Sequence, residues 1–170
     1  MCLMIDSSAV RKGPAKAKED IKCMKVVVKS FADPDNPTYH AVFYDPDFQY
    51  HIGQETQSEM LGSGTKWSDS IDYGLHSFKP NVDGWKRLAT WFEEARKTGE
   101  FNTDWGCITT EAAVLECVIP KGSLYYEGTA NCINGDDEEK GYASNRLLPL
   151  RELPRSEWEG YTDDPKPKHD

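Results

Sequence analysis

Only one stretch of this chain, residues 83–98, repeats its apolar residues at helical spacing. Trp85, Leu88, Ala89, Phe92 and Ala95 fall on one stripe, which predicts a single principal helix lying on a flat apolar partner. Asn81 or Asp83 suits its start, Arg96 and Lys97 suit the negative end of its dipole, and Gly99 is placed to close it. The other apolar runs are short, β-branched or aromatic, and bounded by turn residues. They fall at Ile21–Ser30, 39–44, 48–52, 70–78, 112–119, 124–127 and 142–148. The runs at 39–44 and 48–52 flank Asp45-Pro46-Asp47 and read as a hairpin. This order is not a βαβ series. It predicts an α+β fold, a mostly antiparallel twisted sheet of about six strands with one helix packed on one face.

One domain is expected over residues 1–150, followed by a charged, proline-containing tail over 151–170 that ends in the disorder-prone Asp-Asp-Pro-Lys-Pro-Lys-His-Asp. Residues 53–69 are polar and glycine-bearing and read as a long exposed loop. Residues 101–110, with Trp105 and Cys107, and the acidic 131–140 read as loops too. With mean hydropathy −0.70 and no run approaching the roughly 18 apolar residues that span a bilayer, a soluble protein of the cytoplasm is expected. The opening Met-Cys-Leu-Met-Ile lacks the basic and apolar regions of a signal peptide.

Net charge is −9, unevenly spread. Residues 1–30 hold seven Lys and Arg against three Asp and Glu, and the rest hold thirteen against twenty-six. An acidic body repels phosphate backbones, so direct nucleic-acid binding is disfavoured, whereas a basic protein surface would be attracted. The five cysteines, Cys2, Cys23, Cys107, Cys117 and Cys132, are odd in number, widely spaced and without a C-x-x-C pair, so neither a disulfide framework nor a zinc site is expected. His40, His51, His76 and His169 show no ligand spacing, and no cofactor motif is present. The glycines of Leu61-Gly62-Ser63-Gly64-Thr65-Lys66 lack the spacing of a phosphate-binding loop.

Two segments invite a binding role. In Tyr73-Gly74-Leu75-His76-Ser77-Phe78, strand alternation puts Tyr73, Leu75 and Ser77 on one side and Gly74, His76 and Phe78 on the other. A histidine beside a glycine can meet a ligand that the missing side chain admits, or can sit satisfied in a core. The second segment runs from Ile119-Pro120-Lys121-Gly122-Ser123 to Tyr125, Tyr126 and Glu127. Its turn needs no chemistry, but its tyrosines and acid can line a pocket, with Lys121 and Arg146 as cations.

Short blocks of this sequence resemble a group of small bacteriophage and gut-bacterial proteins. These blocks are the Met-Cys-Leu start, the strand opening Ile21-Lys22-Cys23-Met24-Lys25-Val26, Gly74-Leu75-His76-Ser77, the run from Cys117 to Gly128, and Ala143-Ser144-Asn145. The resemblance implies a phage-type accessory protein working in the bacterial cytoplasm, with host defence as a target. A fainter likeness is to ADP-ribosyltransferases, through Gly74-Leu75-His76 and Ile119-Pro120-Lys121-Gly122-Ser123, with Glu127 or Glu116 as the acid. The chain departs from that pattern, since no R-S-E or H-Y-E set can be laid out in order. Three readings therefore stand: an acidic inhibitor docking on a basic host protein, a binder of a small nucleotide ligand through Tyr73, Gly74, His76, Ser77, Lys121, Tyr125, Tyr126, Glu127 and Arg146, and a transferase-like enzyme.

Overall fold

The computed structural model describes residues 3–42, 47–65, 68–98, 110–130 and 139–162. In chain order the elements are β1 (Leu3–Met4), α1 (Ser7–Lys12), β2 (Ala15–Lys16), β3 (Ile21–Ser30), β4 (Thr38–Ala41), β5 (Gln49–Tyr50), β6 (Thr56–Gln57) and β7 (Ser70–Ile71). There follow β8 (Leu75–Phe78), α2 (Gly84–Thr98), β9 (Thr110–Ile119), β10 (Leu124–Ala130), β11 (Lys140–Ser144) and β12 (Arg146–Glu152).

The two longest strands pair along their whole length, from Ile21 opposite Ile119 to Ser30 opposite Thr110. β3 carries the run Val26-Val27-Val28 and β9 is rich in Ala, Val, Leu and Ile, and with apolar residues buried toward both faces they form the centre of the sheet. The strand order is β6-β12-β9-β3-β8-β11-β10-β1-β7, with β4 and β5 branching from β3 and β2 from β10. Every pairing is antiparallel, as expected, but the sheet has twelve strands and not six. Four of the additional strands are two residues long, and the expected strand at 142–148 is two strands, β11 and β12, parted at Asn145. The hairpin of β4 and β5 forms, with Tyr39 opposite Tyr50.

α2 begins one residue after its expected start, and the Asp83 carbonyl accepts the Arg87 N–H of its first turn. The whole predicted stripe is buried, and it packs with Val26, Val28, Ala112, Val114 and Phe78 on one face of the sheet. Glu93 is buried beside the stripe and ties α2 to the sheet: its carboxylate accepts the Ala112 N–H at 2.8 Å and the Arg96 guanidinium at 2.6 Å, with Arg155 at 3.7 Å. The opposite face carries a second core of Cys23, Val27, Leu115, Cys117, Ile119 and Leu147.

Residue 150 is not where packing stops. β12 runs to Glu152, and Leu153 and Trp158 (2% exposed) sit in the helix-side core. The segment after 150 keeps few apolar residues, but those few are large and reach back to α2. Residues 163–170 lie outside the described residues, as do 99–109, 131–138 and 43–46.

β7 and β8 are separated by three residues, yet they stand four strand spacings apart in the sheet order. From Ile71 to Leu75 the chain spans at most about 14 Å, whereas four flat spacings amount to about 19 Å. The half-sheet β8-β11-β10-β1-β7 must therefore roll up. Gly128 and Gly141, directly opposite each other, allow the bend. A Cβ on Gly128 would stand 2.3 Å from the Met4 carbonyl oxygen, and one on Gly141 would stand 2.3 Å from that of Ser77. Leu3, Ile71, Tyr126 and Ala143 fill the roll as a third core.

Candidate functional site in the fork of the sheet

β3 has β9 along one edge, but its other edge is shared. Met24 pairs with Phe78 of β8, and Val27 to Ser30 pair with β4. Between them, at Lys25 and Val26, no ladder partner stands on that edge among the described residues, and the sheet forks. Extending the β8 register would bring His76 opposite Val26. The Lys25 ammonium instead donates to the His76 carbonyl oxygen and lies 5.4 Å over the Tyr50 ring.

A cavity of about 870 Å³ occupies the fork. Its walls reach both layers: Val26, Phe78 and Leu88 belong to the helix-side core, and Tyr50 and Leu75 to the opposite one. Phe48 stacks edge-on against Tyr50 at 5.2 Å. The polar groups are few: Lys25 and His76 at the floor, and Ser58, Glu59, Asp72 and Tyr73 toward solvent. The stretch at 53–69, expected as an exposed loop, supplies part of this wall. β6 pairs with β12, and Gly62 makes an isolated bridge with Tyr73, which carries Glu59, Met60 and Leu61 over the approach to β8.

His76 is 7% exposed, and its two ring nitrogens face backbone carbonyls, Nε2 at 3.0 Å from Ile71 and Nδ1 at 3.1 Å from Gly74. A neutral imidazole carries one proton, so one contact is a hydrogen bond and the other sets a lone pair against an oxygen. Burial drives the pKa down to about 4, aided by the Lys25 charge and opposed by the two carbonyls. The ring is neutral at pH 7, and neither nitrogen is aimed at the cavity as a free base. Gly74 has φ +128°, and a Cβ there would meet Leu61 Cδ1 at 2.7 Å, so the glycine is required by backbone and by space.

The structure divides the sequence-predicted residues. Tyr73, Gly74 and His76 line the cavity. Cross-strand partners share a face, so Tyr126, Ala143 and His76 lie on one face of the roll while Glu127, Tyr142 and Ser77 lie on the other. Ser77 is buried with its hydroxyl near the Cys23 thiol. Tyr126 packs inside the roll, away from the fork. Tyr125 stacks edge-on with Tyr142 at 6.0 Å, and Glu127 pairs with Lys79, which it holds above the ordinary lysine pKa. Lys121 and Arg146 meet at the β9–β10 turn: Arg146 donates to the Lys121 carbonyl at 3.0 Å and pairs with Glu55 at 3.2 Å. These nine residues do not form one pocket. Lys25, Phe48, Tyr50, Glu59, Met60 and Asp72 line the cavity from separate segments. Only the aromatic content of 48–50 hints at them in the sequence.

Among the described residues no group of three or more His, Cys, Asp and Glu side chains is placed to hold a metal ion, and no helix is long and apolar enough to cross a membrane. The chain matches no protein-family model, no curated protein and no solved structure.

Proposed function

We propose that this chain is a non-catalytic binding protein whose ligand is a small molecule held in the fork of the sheet. The observation that carries the reading is the cavity: about 870 Å³, walled mainly by aromatic and aliphatic side chains, with a few polar groups at its two ends. That combination is typical of small-molecule sites. The engagement of both His76 nitrogens by carbonyls supports binding over proton transfer. A transferase-like reaction finds little support, because Glu127 and His76 lie on opposite faces and Glu116 is paired with Arg151.

Docking of an acidic face on a basic host protein draws on the charge balance alone. Many of the body's carboxylates already face its own cations, among them Glu55–Arg146, Glu111–Arg155, Glu116–Arg151, Glu127–Lys79, Glu139–Arg87 and Glu152–Lys29. A phage-type role against host defence, in a bacterial cytoplasm, rests on the likeness of short segments and is compatible with capture of a small molecule. The test is saturable binding of a neutral apolar fluorophore such as Nile red. One site per chain, abolished when Val42→Trp narrows the cavity in a protein that still melts cooperatively, supports the reading. Binding that never saturates, or that is indifferent to Val42→Trp, overturns it.

A further inference from the structure

We infer that the ligand class of this cleft is a carboxylic acid on an apolar, ring-bearing body, with its carboxylate seated on Lys25. The inference rests on the cleft being a small-molecule site. Lys25 is the one cation among the described lining residues, and it stands at the floor and not at the mouth. It forms no ion pair among the described residues: its ammonium donates to the His76 carbonyl oxygen, which is neutral, and lies 5.4 Å over the Tyr50 ring. An ammonium has three protons and a full charge, so donors and charge remain for an incoming acceptor. That charge is felt nearby. Burial dominates the pKa values of His76, Cys23 and Cys117, and the Lys25 charge acts on each as a further, lowering influence. A half-buried cation with no carboxylate opposite it has lost water without gaining a counter-charge, and a bound carboxylate supplies one.

The two acids of the lining stand at the other end. Glu59 and Asp72 are exposed toward solvent, where water and salt screen them, and Asp72 also accepts the Ser70 hydroxyl at 2.9 Å and the Gly64 N–H at 3.4 Å. At the floor the surroundings are less polar, so a charge contact there counts for more. One lysine, with no arginine fork beside it, suits a single negative charge better than the double charge of a phosphate. Strand alternation sets Lys25 on the face of Cys23 and Val27, against which Phe48 and Tyr50 also pack. From there the apolar body crosses the gap in the ladder toward Val26, Phe78 and Leu88 on the helix side. Aromatic rings on both sides of the crossing favour a body that carries a ring.

The experiment is fluorescence titration of the full chain at neutral pH with three compounds of identical body: pyrenebutyrate, pyrenebutanol and pyrenebutylamine. The acid is expected to bind about tenfold more tightly than the alcohol, as one charge-assisted contact would give, and the amine most weakly. In Lys25→Met the ratio of acid to alcohol affinity should fall to about twofold or less. Should that variant not melt cooperatively, Lys25→Gln, which can still donate to the His76 carbonyl, takes its place. Equal binding of acid and alcohol, tightest binding of the amine, or an acid preference that survives loss of the lysine charge overturns the assignment while leaving the cleft a small-molecule site. So does failure of the acid to bind where Nile red binding saturates. If none of the three binds and Nile red binding does not saturate either, both readings fall.

Discussion

His76 Nε2 lies 3.0 Å from the carbonyl oxygen of Ile71, and this contact joins β8 to β7 across a seam that no ladder closes among the described residues. The same side chain thus borders the cavity and fastens the roll. The dual position gives a buried histidine a structural part in this fold.

Stability should depend on this ring. In the unfolded chain His76 titrates near 6.5, whereas in the fold burial takes it to about 4. The unfolded state binds the proton first, so the contribution is fully present above pH 6.5 and is lost as pH falls toward 4. Its size is on the order of 3 kcal/mol. Urea melts of wild type and His76→Gln between pH 4 and pH 7 check it. The wild-type slope across this window should flatten in the variant.

Glu93 should be the costliest single charge to remove. Burial raises its pKa, but the Arg96 guanidinium and the Ala112 N–H outweigh burial and hold it below the usual carboxylate range. Glu93→Ala leaves Arg96 without its carboxylate and a buried N–H without an acceptor. A loss of about 3 kcal/mol in chemical denaturation is expected. Glu94→Ala, next to it and exposed, should change stability by less than about 0.5 kcal/mol.

Gly128→Ala and Gly141→Ala should each destabilise by about 2 kcal/mol or more, since their new methyl groups would run into backbone oxygens that cannot move aside. Gly64→Ala is the control. Its Cβ would meet only the Asp72 side chain at 3.9 Å, and thermal melts should show little change.

Trp158→Ala should cost about 3 kcal/mol or more, because the ring is 2% exposed in the helix-side core, with Arg155 stacked on it and its carbonyl accepting from Thr90. A tail lying free of the fold would show no such loss.

Cys23 and Cys117 face each other across β3 and β9, both buried, and burial pushes the Cys23 thiol up to about 12 and the Cys117 thiol higher still. Iodoacetamide mapping by mass spectrometry should find both unlabelled in the native protein at pH 8 and labelled in urea. Labelling of either under native conditions would contradict the packing.

The legible parts of the fold are those whose residues repeat locally. Ile21–Ser30 and the stripe from Trp85 to Ala95 carry their own periodicity, and both stand as expected. β1, β2, β6 and β7 have two residues each, too few to show any period, and exist only because a distant strand pairs with them. The break at Asn145 has no turn signature; its side chain accepts the Leu124 N–H, a contact set by the neighbouring strand. Of the site, Tyr73, Gly74 and His76 are visible because a glycine and a histidine interrupt an apolar run. The expected grouping with Tyr125 and Glu127 does not form, because β11 stands between the two strands and the pleat turns Glu127 away. Lys25 reads as one of several strand lysines, and only the fork gives it a role.

The fork has a mechanical consequence. The hairpin of β4 and β5 hangs from β3 by four residue pairs, while the β3–β9 ladder behind it has ten. Opening the hairpin leaves that ladder untouched, so its amides should exchange with solvent sooner than those of the central strands. Phe48 and Tyr50 would swing out with it, and the cleft would widen at the expense of one small unit of the fold. An occupant touching both the hairpin and β8 would clamp that unit shut, and slowed exchange at Tyr39, His40 and Ala41 would report occupancy directly.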